Sequence, residues 1–588
     1  IYENLAGIIG NKLGNEKMIE FLIKKIEDFP RFQKLYNKLG FLLYQKGDFK
    51  SAIKNCRKAI ELQYDYVEAY FNLGNSFRAI GELDNSIDSF KKAIYYDSSF
   101  ITAYNNLGGV YYLKGDLSKS ISSFETVIKL DSKYAKGYFN LAKVYKENNE
   151  LIKAKYNLIN AITINPKYYE ALNLIGNIYK DEGNLEKAIS CLKNAIKSNK
   201  DQFEAYNNLG NIYIEKSKYE KAISCFQISI KIKPTYLEAY NNLGITYQSI
   251  GKLNDAISIF KKALAIDSKF GTAIWNLSYA QLLIGEYKSG WENYEWRNKT
   301  IDPILPHAMP KSFRWNGKTL NKEKCLLVIS EQGLGDTIQY MRYILYLKRN
   351  GYKILFCAQL KLHSLIIESK IDERPLSPAE ANNINDVNWL PLLSLPRILG
   401  IEPSKPLINH PYISINNNLI NKWRRILSKE TKPIIGINWQ GNQNLEKIYK
   451  GRSIELEKFS PFVHNNDIKL LSLQKGYGSE QLNKCSFRDD FVMCQSQIEE
   501  VWDFSEIAAI IKNCDLIITC DTAVAHLAGG MGKKVLLLLR YIPYWTWGLQ
   551  SDKTFWYPSM TLCRQKEKEN WHELIERVSS EINNFIDK

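Results

Sequence analysis

Two short stretches of this chain gather residue types that can do chemistry. In the first, an apolar run, 515–520, ends in Asp521-Thr522-Ala523-Val524, with His526 one turn further on. A buried strand that passes straight into a helix of small residues leaves free backbone N–H groups and a partial positive charge at the helix start. That is a seat for phosphate. Thr522 adds a hydroxyl, and His526 shares its face of the helix. A capped helix with a buried histidine fits the same residues, but the convergence of Asp, Thr and His on one helix end favours a ligand. The second stretch is Ser330-Glu331-Gln332-Gly333-Leu334-Gly335-Asp336-Thr337. Glycines at the carboxyl end of a strand let backbone approach a ligand, and open α/β sheets bind ligands on that side. Asp336 at the start of the following helix fits either a plain cap or a general base facing a cleft. The pair Gly333 and Gly335 lacks a third glycine, and no acidic residue ends the next strand, so a nicotinamide-binding fingerprint is not met.

The elements that position these residues are short apolar runs alternating with helices, the pattern of parallel strands in α/β units. Strands are expected at 325–330, 353–357, 433–439, 468–473, 515–520 and 534–539. The polar segment 414–431 divides them into two groups, 323–413 and 432–588. The simplest architecture is two Rossmann-like domains facing each other across a cleft. Upstream, Pro303, Pro306 and Pro310 exclude a regular helix from the linker at 299–322.

Residues 1–298 carry a 34-residue period. Leu39, Leu73, Leu107, Leu141, Ile175, Leu209, Leu243 and Leu277 fall in register, each followed by a small residue, with a second small position thirteen residues on. This is the helix-turn-helix pattern of tetratricopeptide repeats, whose small residues let two antiparallel helices cross closely. The phase extrapolates back to Leu5-Ala6, placing a degenerate first repeat near the start, for eight to nine repeats in all. At the other end, 290–297 reads Gly-Trp-Glu-Asn-Tyr-Glu-Trp-Arg, aromatics suited to docking the last helix, 286–298, on the second half. The residue before the repeating Leu/Ile is Asn72, Asn106, Asn140, Asn208, Asn242 and Asn276 in six of eight units. Such a ladder on the inner helices could pair with the backbone of an extended peptide, or bond one repeat to the next.

At 588 residues the chain exceeds one core. The net charge of +16 admits anionic partners, but no compact run of Lys/Arg marks a nucleic-acid arm. Ten cysteines without a CxxC pair suggest neither zinc nor disulfides and point to a reducing, cytoplasmic compartment. Cys56, Cys191 and Cys225 read as small apolar residues of repeat helices. The longest apolar run, 535–539, falls far short of a membrane span, which leaves only peripheral membrane contact open.

A resemblance joins these features. EQGLGD at 331–336, GINWQGN at 436–442, Gly451-Arg452-Ser453, Ser472-Leu473-Gln474-Lys475, DTAVAHLAGGMGK at 521–533, and Trp556-Tyr557-Pro558 with Arg564-Gln565 run in consistent order through the second half. In these the region resembles the heptosyltransferase-like glycosyltransferases of family 9, and more closely the bacterial proteins that join such a domain to tetratricopeptide repeats. The asparagine ladder resembles that of protein O-GlcNAc transferases, where it grips the polypeptide being modified. The resemblance implies a GT-B fold, with the acceptor mainly on the first domain, beside Glu331, Gln332, Gly333 and Gly335. The nucleotide-sugar falls on the second, with no cofactor and no required metal. It implies inverting sugar transfer to a protein or glycan held by the repeat arm, with Asp336 as base. Donor contacts would come from Asp521, Thr522, Ala523, Val524 and His526, and a cation, Arg452 or Lys475, would face the diphosphate. Arg452 fits a structural salt bridge equally well. Ala523 stands where that family has glycine, and Trp545-Thr546-Trp547 lacks the arginine of a Trp-Arg-Trp seen in related repeat proteins. The rival reading is an interaction scaffold with a transferase-like domain that does not turn over.

Overall fold

Small residues at fixed phase determine how the first half folds. Helix pairs run from Gln33–Lys46 with Phe49–Leu62 to Phe203–Glu215 with Tyr219–Ile232, thirteen or fourteen residues to a helix. At the crossings, Gly74 faces Phe90, Gly108 faces Phe124 and Gly210 faces Phe226; a Cβ at any of them would lie under 3.0 Å from the ring. The second small position is equally tight: Ala52, Ala154, Ala188 and Ala222 are fully buried. Ser86 and Ser120, also fully buried, donate to the Gly74 and Gly108 carbonyls at 2.7 and 2.8 Å. The turns use left-handed backbone: Gly47, at φ 89°, ends its helix, and Asp48 then caps the next through the Ser51 N–H.

The computed structural model describes residues 2–300, 302–315, 321–443, 446 and 451–586, with no description of the side chains of 2–14, 583, 585 and 586. They divide into two units, Ile1–Pro234 and Thr235–Lys588. The first unit begins with one long helix, Tyr2–Asp28, where the period suggested a degenerate helical pair. Its Met18, Ile19 and Leu22 pack with Leu35, Leu39 and Leu42. The side chains of Leu5 and Ala6 lie outside the described residues.

The second unit opens with two more helix pairs, Leu237–Ser249 with Leu253–Ile266 and Gly271–Ile284 with Tyr287–Tyr294. A 3-10 turn, Glu295–Lys299, follows. These helices are not a separate body from what comes after. Leu253, Tyr279, Leu282, Leu283, Trp291 and Tyr294 share one apolar core with Val328, Ile338, Tyr340 and Trp545. Trp291 Nε1 donates to the Ile401 carbonyl (2.8 Å) and Tyr279 Oη to that of Pro543 (3.1 Å).

Two parallel sheets follow. The first contains β1 (Leu326–Ile329), β2 (Ile354–Cys357) and β3 (Asn388–Pro391) in the order β2-β1-β3. The second contains β4 (Ile434–Asn438), β5 (Lys469–Ser472), β6 (Leu516–Cys520), β7 (Val535–Leu539) and β8 (Met560–Arg564), in the order β5-β4-β6-β7-β8. Six of the eight strands lie where apolar runs placed them; β3 and β8 do not follow from that pattern. Both sheets are consistent with Rossmann-like domains. The segment 414–431 carries a helix, Asn417–Leu427, anchored by the buried Trp423.

Candidate functional site

In each sheet the chain leaves a central strand toward one side and returns on the other. Between β1 and β3, and between β4 and β6, this opens a crevice at the strands' carboxyl ends. The Ser330–Asp336 loop leaves β1 at the first crevice, and Asp521-Thr522 leaves β6 at the second. The two loops meet. A Cβ on Gly335 would lie 3.0 Å from His526 Cδ2 and 3.4 Å from Ala523 Cα, tighter than ordinary contact, so glycine lets the loops approach this closely without displacing either.

Asp336 is the third residue of the helix Leu334–Tyr340, and its carboxylate accepts the Gly333 N–H at 3.1 Å. The N-cap itself is Gly333, so Asp336 is not the plain cap expected but reaches back to the cap's N–H from the third helical position. Burial pushes its carboxyl up to about 6; the Gly333 N–H opposes this, Asp521 adds to it, and Arg452 pulls back. A carboxylate with that pKa is near the range suited to proton abstraction at neutral pH.

On the other side, Arg452 Nη2 bonds the Asp521 carboxylate at 3.0 Å and its carbonyl at 2.6 Å. The salt bridge and the place beside the site, posed as alternatives by the sequence, are both present. Thr522 precedes the helix Ala523–Gly530, but its hydroxyl donates to Asn438 Oδ1 (2.8 Å) instead of capping that helix. The Asn438 Nδ2 in turn donates to Gln474 Oε1, which also accepts the Trp439 and Gln440 N–H groups. Gln474 thus clamps the turn after β4 to that after β5. Asn438 belongs to GINWQGN and Gln474 to Ser472-Leu473-Gln474-Lys475, but spacing alone does not reveal their bonds across strands.

His526 is buried at 7 % exposure, stacks on Trp547 (ring centroids 5.2 Å, 23°) and has Nδ1 3.0 Å from the Tyr557 hydroxyl. Burial holds its pKa down at about 4, with Asp521 opposing and Arg342 and Arg452 reinforcing, so the ring is neutral at pH 7. Ala523 and Val524 occupy the helix start and are partly buried.

Three proposed contacts have other employment. Glu331 is fully buried, and Arg297 takes both its oxygens, Nε at 2.9 Å and Nη2 at 2.7 Å. It ties the last repeat helix to the sheet and does not offer itself to an acceptor. Gln332, beside it at φ 61°, donates to the Tyr294 hydroxyl at 3.0 Å. Lys475 donates to the Ile498 and Glu499 carbonyls, and burial lowers its pKa to about 8. Its ammonium serves the end of a short helix, which leaves Arg452 as the cation beside Asp521.

The asparagine ladder bonds repeat to repeat. Asn72, Asn140 and Asn208 each donate Nδ2 to the Oδ1 of an asparagine 35 residues earlier (Asn37, Asn105 and Asn173) at 2.8–3.0 Å. Asn276 does the same to Asn241 at 2.8 Å, and Asn106 donates to Asn75 at 2.9 Å. Asn242 occupies the equivalent position and is partly buried. Each such bond uses one of an amide's four hydrogen-bonding positions.

Comparison with known proteins finds tetratricopeptide repeats at 201–269, and again at 40–77, 74–115, 108–149 and 176–216. Protein FlbA of Caulobacter vibrioides is 22% identical over 335 residues, 52% of this chain and 54% of that protein. The chain thus spans about half the length of this curated relative. Among solved structures, MamA is 28% identical over 28% of this chain and 95% of its own, with a TM-score of 0.26. YrrB, described as a tetratricopeptide protein with an unusual peptide-binding site, is 27% identical over 31% and 95%, at a TM-score of 0.27. The APC/C hetero-tetramer Cut9-Hcn1 gives 16% identity over 45% and 52%, at a TM-score of 0.36. The N-terminal half is built of tetratricopeptide repeats and is followed by an α/β region of parallel sheets. Among the described residues no helix is long and apolar enough to cross a membrane.

Proposed function

We propose that the α/β region is a glycosyltransferase. It moves a sugar from a nucleotide-sugar to a protein or glycan acceptor selected by the repeat array. The observation that carries this reading is the meeting of Asp336 with Asp521, Arg452 and the helix start at Ala523, each at the switch point of a parallel sheet. Asp336 takes the proton of an acceptor hydroxyl. The freed oxygen pair attacks the anomeric carbon from the face opposite the nucleotide, and the bond to the diphosphate breaks with its electrons on the leaving oxygen. Inversion follows from that geometry. The charge that develops is met by Arg452, oriented by Asp521, and by the N–H groups at Ala523–Val524. No step requires a metal. The family resemblance supports the same assignment of roles.

The repeat array supports acceptor recognition through its amides. The inter-repeat bonds of Asn72, Asn106, Asn140, Asn208 and Asn276 fix those amides in place, so what they present is pre-ordered. The test is ligand stabilisation of the full chain by nucleoside diphosphates and nucleotide-sugars. A ligand at 100 times its dissociation constant raises stability by about 2.7 kcal/mol. No shift across such a panel would leave the protein an interaction scaffold alone.

A further inference from the structure

Arg342 is 1 % exposed, and among the described residues its hydrogen bonds reach no carboxylate. Its guanidinium donates to the carbonyls of Gln339 (2.7 Å), Ile408 (3.1 Å) and Trp556 (2.7 Å) and to the Tyr412 hydroxyl (3.2 Å). It also lies 4.6 Å from the ring centroids of both Tyr412 and Tyr557. A buried cation satisfied by neutral oxygens alone sets the direction of the hydrogen bonds around it, because guanidinium donates and never accepts.

The direction can be followed outward. Tyr412 spends its one proton on the Ile338 carbonyl (2.7 Å), so its oxygen receives Arg342 Nη2. The Tyr557 hydroxyl lies within the reach of Arg342 and Tyr412 and 3.0 Å from His526 Nδ1. Of the acceptors near it, the imidazole nitrogen is the most basic, and the Tyr412 oxygen already accepts from Arg342. The Tyr557 O–H therefore goes to Nδ1, and the ring proton of His526 resides on Nε2. Nε2 lies on the opposite edge of the ring, beside Cδ2, the atom that faces Gly335. The indole of Trp547, stacked on this imidazole and 3 % exposed, carries an Nε1–H with no acceptor among the described residues. A buried donor without a partner costs stability unless something accepts from it.

We infer that Arg342 and Tyr557 are positioning residues that hold His526 as its Nε2–H tautomer. The histidine then presents that N–H to an oxygen of a nucleoside diphosphate, and the indole N–H of Trp547, the ring stacked on it, is a second donor for the same ligand. The acceptor rests on the function proposed above; the tautomer does not. His526 neither takes nor gives a proton in this role. Trp547 supplies a neutral donor in the segment where related repeat proteins carry an arginine.

Selective 15N labelling of histidine in the full chain, with the His526 signals assigned by loss in His526→Gln, reads the tautomer from long-range 1H–15N correlations. The expected pattern is Nε2–H, unchanged between pH 5.5 and 8 with Asp521, Arg342 and Arg452 facing the ring. In Tyr557→Phe it becomes a mixture of tautomers. An Nδ1–H pattern, a charged ring in this range, or a Tyr557→Phe spectrum identical to the parent would overturn the tautomer. Titration with ADP, GDP, UDP and CDP tests the acceptor. The Nε2 proton should shift with at least one of them. His526→Gln, which keeps an N–H in place, should bind within about threefold, while His526→Phe loses about tenfold or more. Equal binding by the Phe variant overturns the donor role. If no nucleotide binds, the glycosyl-transfer reading falls with it, and the spectra still decide the tautomer.

Discussion

Arg297 and Glu331 form a two-point ion pair with both side chains fully buried, at 2.7 and 2.9 Å. One residue ends the last repeat; the other begins the loop that carries Asp336. Removing one partner strands the other as a buried charge, so Arg297→Met or Glu331→Leu should each cost about 3–5 kcal/mol in urea unfolding. The double variant Arg297→Met/Glu331→Leu should lose less than either single change. Additive losses would show that the two side chains act independently.

The ladder bonds make a separate stability prediction. Asn140→Ala leaves the Asn105 carbonyl, on a side chain 5 % exposed, without its donor from the next repeat. The expected cost is about 1–3 kcal/mol. An unchanged unfolding midpoint would mean that the amides are held by something other than one another.

Close helix crossing predicts opposite effects of one substitution. A Cβ on Gly210 would sit 2.6 Å from the Phe226 ring, whereas one on Gly109 meets nothing within 4 Å. Gly210→Ala should cost about 1–3 kcal/mol by overpacking. Gly109→Ala, in a helix interior, should gain about 0.5–1 kcal/mol. Equal effects would contradict the crossing geometry.

Asp336 and His526 link stability to pH with opposite signs. His526, lowered from 6.5 to about 4, binds fewer protons folded than unfolded, so it makes stability rise with pH across that window. Asp336, raised from 3.8 to about 6, binds more protons folded and makes stability fall between about 4 and 6. Asp336→Asn should therefore be more stable than the parent at pH 7, and His526→Phe should lose the rise between pH 4 and 6.5. Urea midpoints measured against pH check both slopes; a destabilised Asp336→Asn protein at pH 7 would contradict the first.

What the sequence made legible follows from how local each feature is. The repeat register rests on Leu39 to Leu277 and their small neighbours, all read within one period. β4, β6 and β7 are buried on both faces and read as continuous apolar runs. β3, Asn-Trp-Leu-Pro, holds only two apolar residues between an asparagine and a proline, and β8, Met-Thr-Leu-Cys-Arg, has no apolar run long enough to stand out. The site was legible as two loops, through Asp336 and Asp521. Its partners were not, because they are set by distant chain. Glu331 meets an arginine 34 residues away, Thr522 an asparagine 84 away, and His526 a tyrosine 31 away.

The central claim is sugar transfer with Asp336 as base. Incubating the full chain with cell lysate and labelled nucleotide-sugars, beside an Asp336→Asn variant matched for folding, measures it directly. The account predicts label entering protein or glycolipid with the parent, a rate that falls as pH drops through about 6, and loss of about a hundredfold or more in the variant. Full transfer by Asp336→Asn, or no transfer by the parent from any donor, would contradict it.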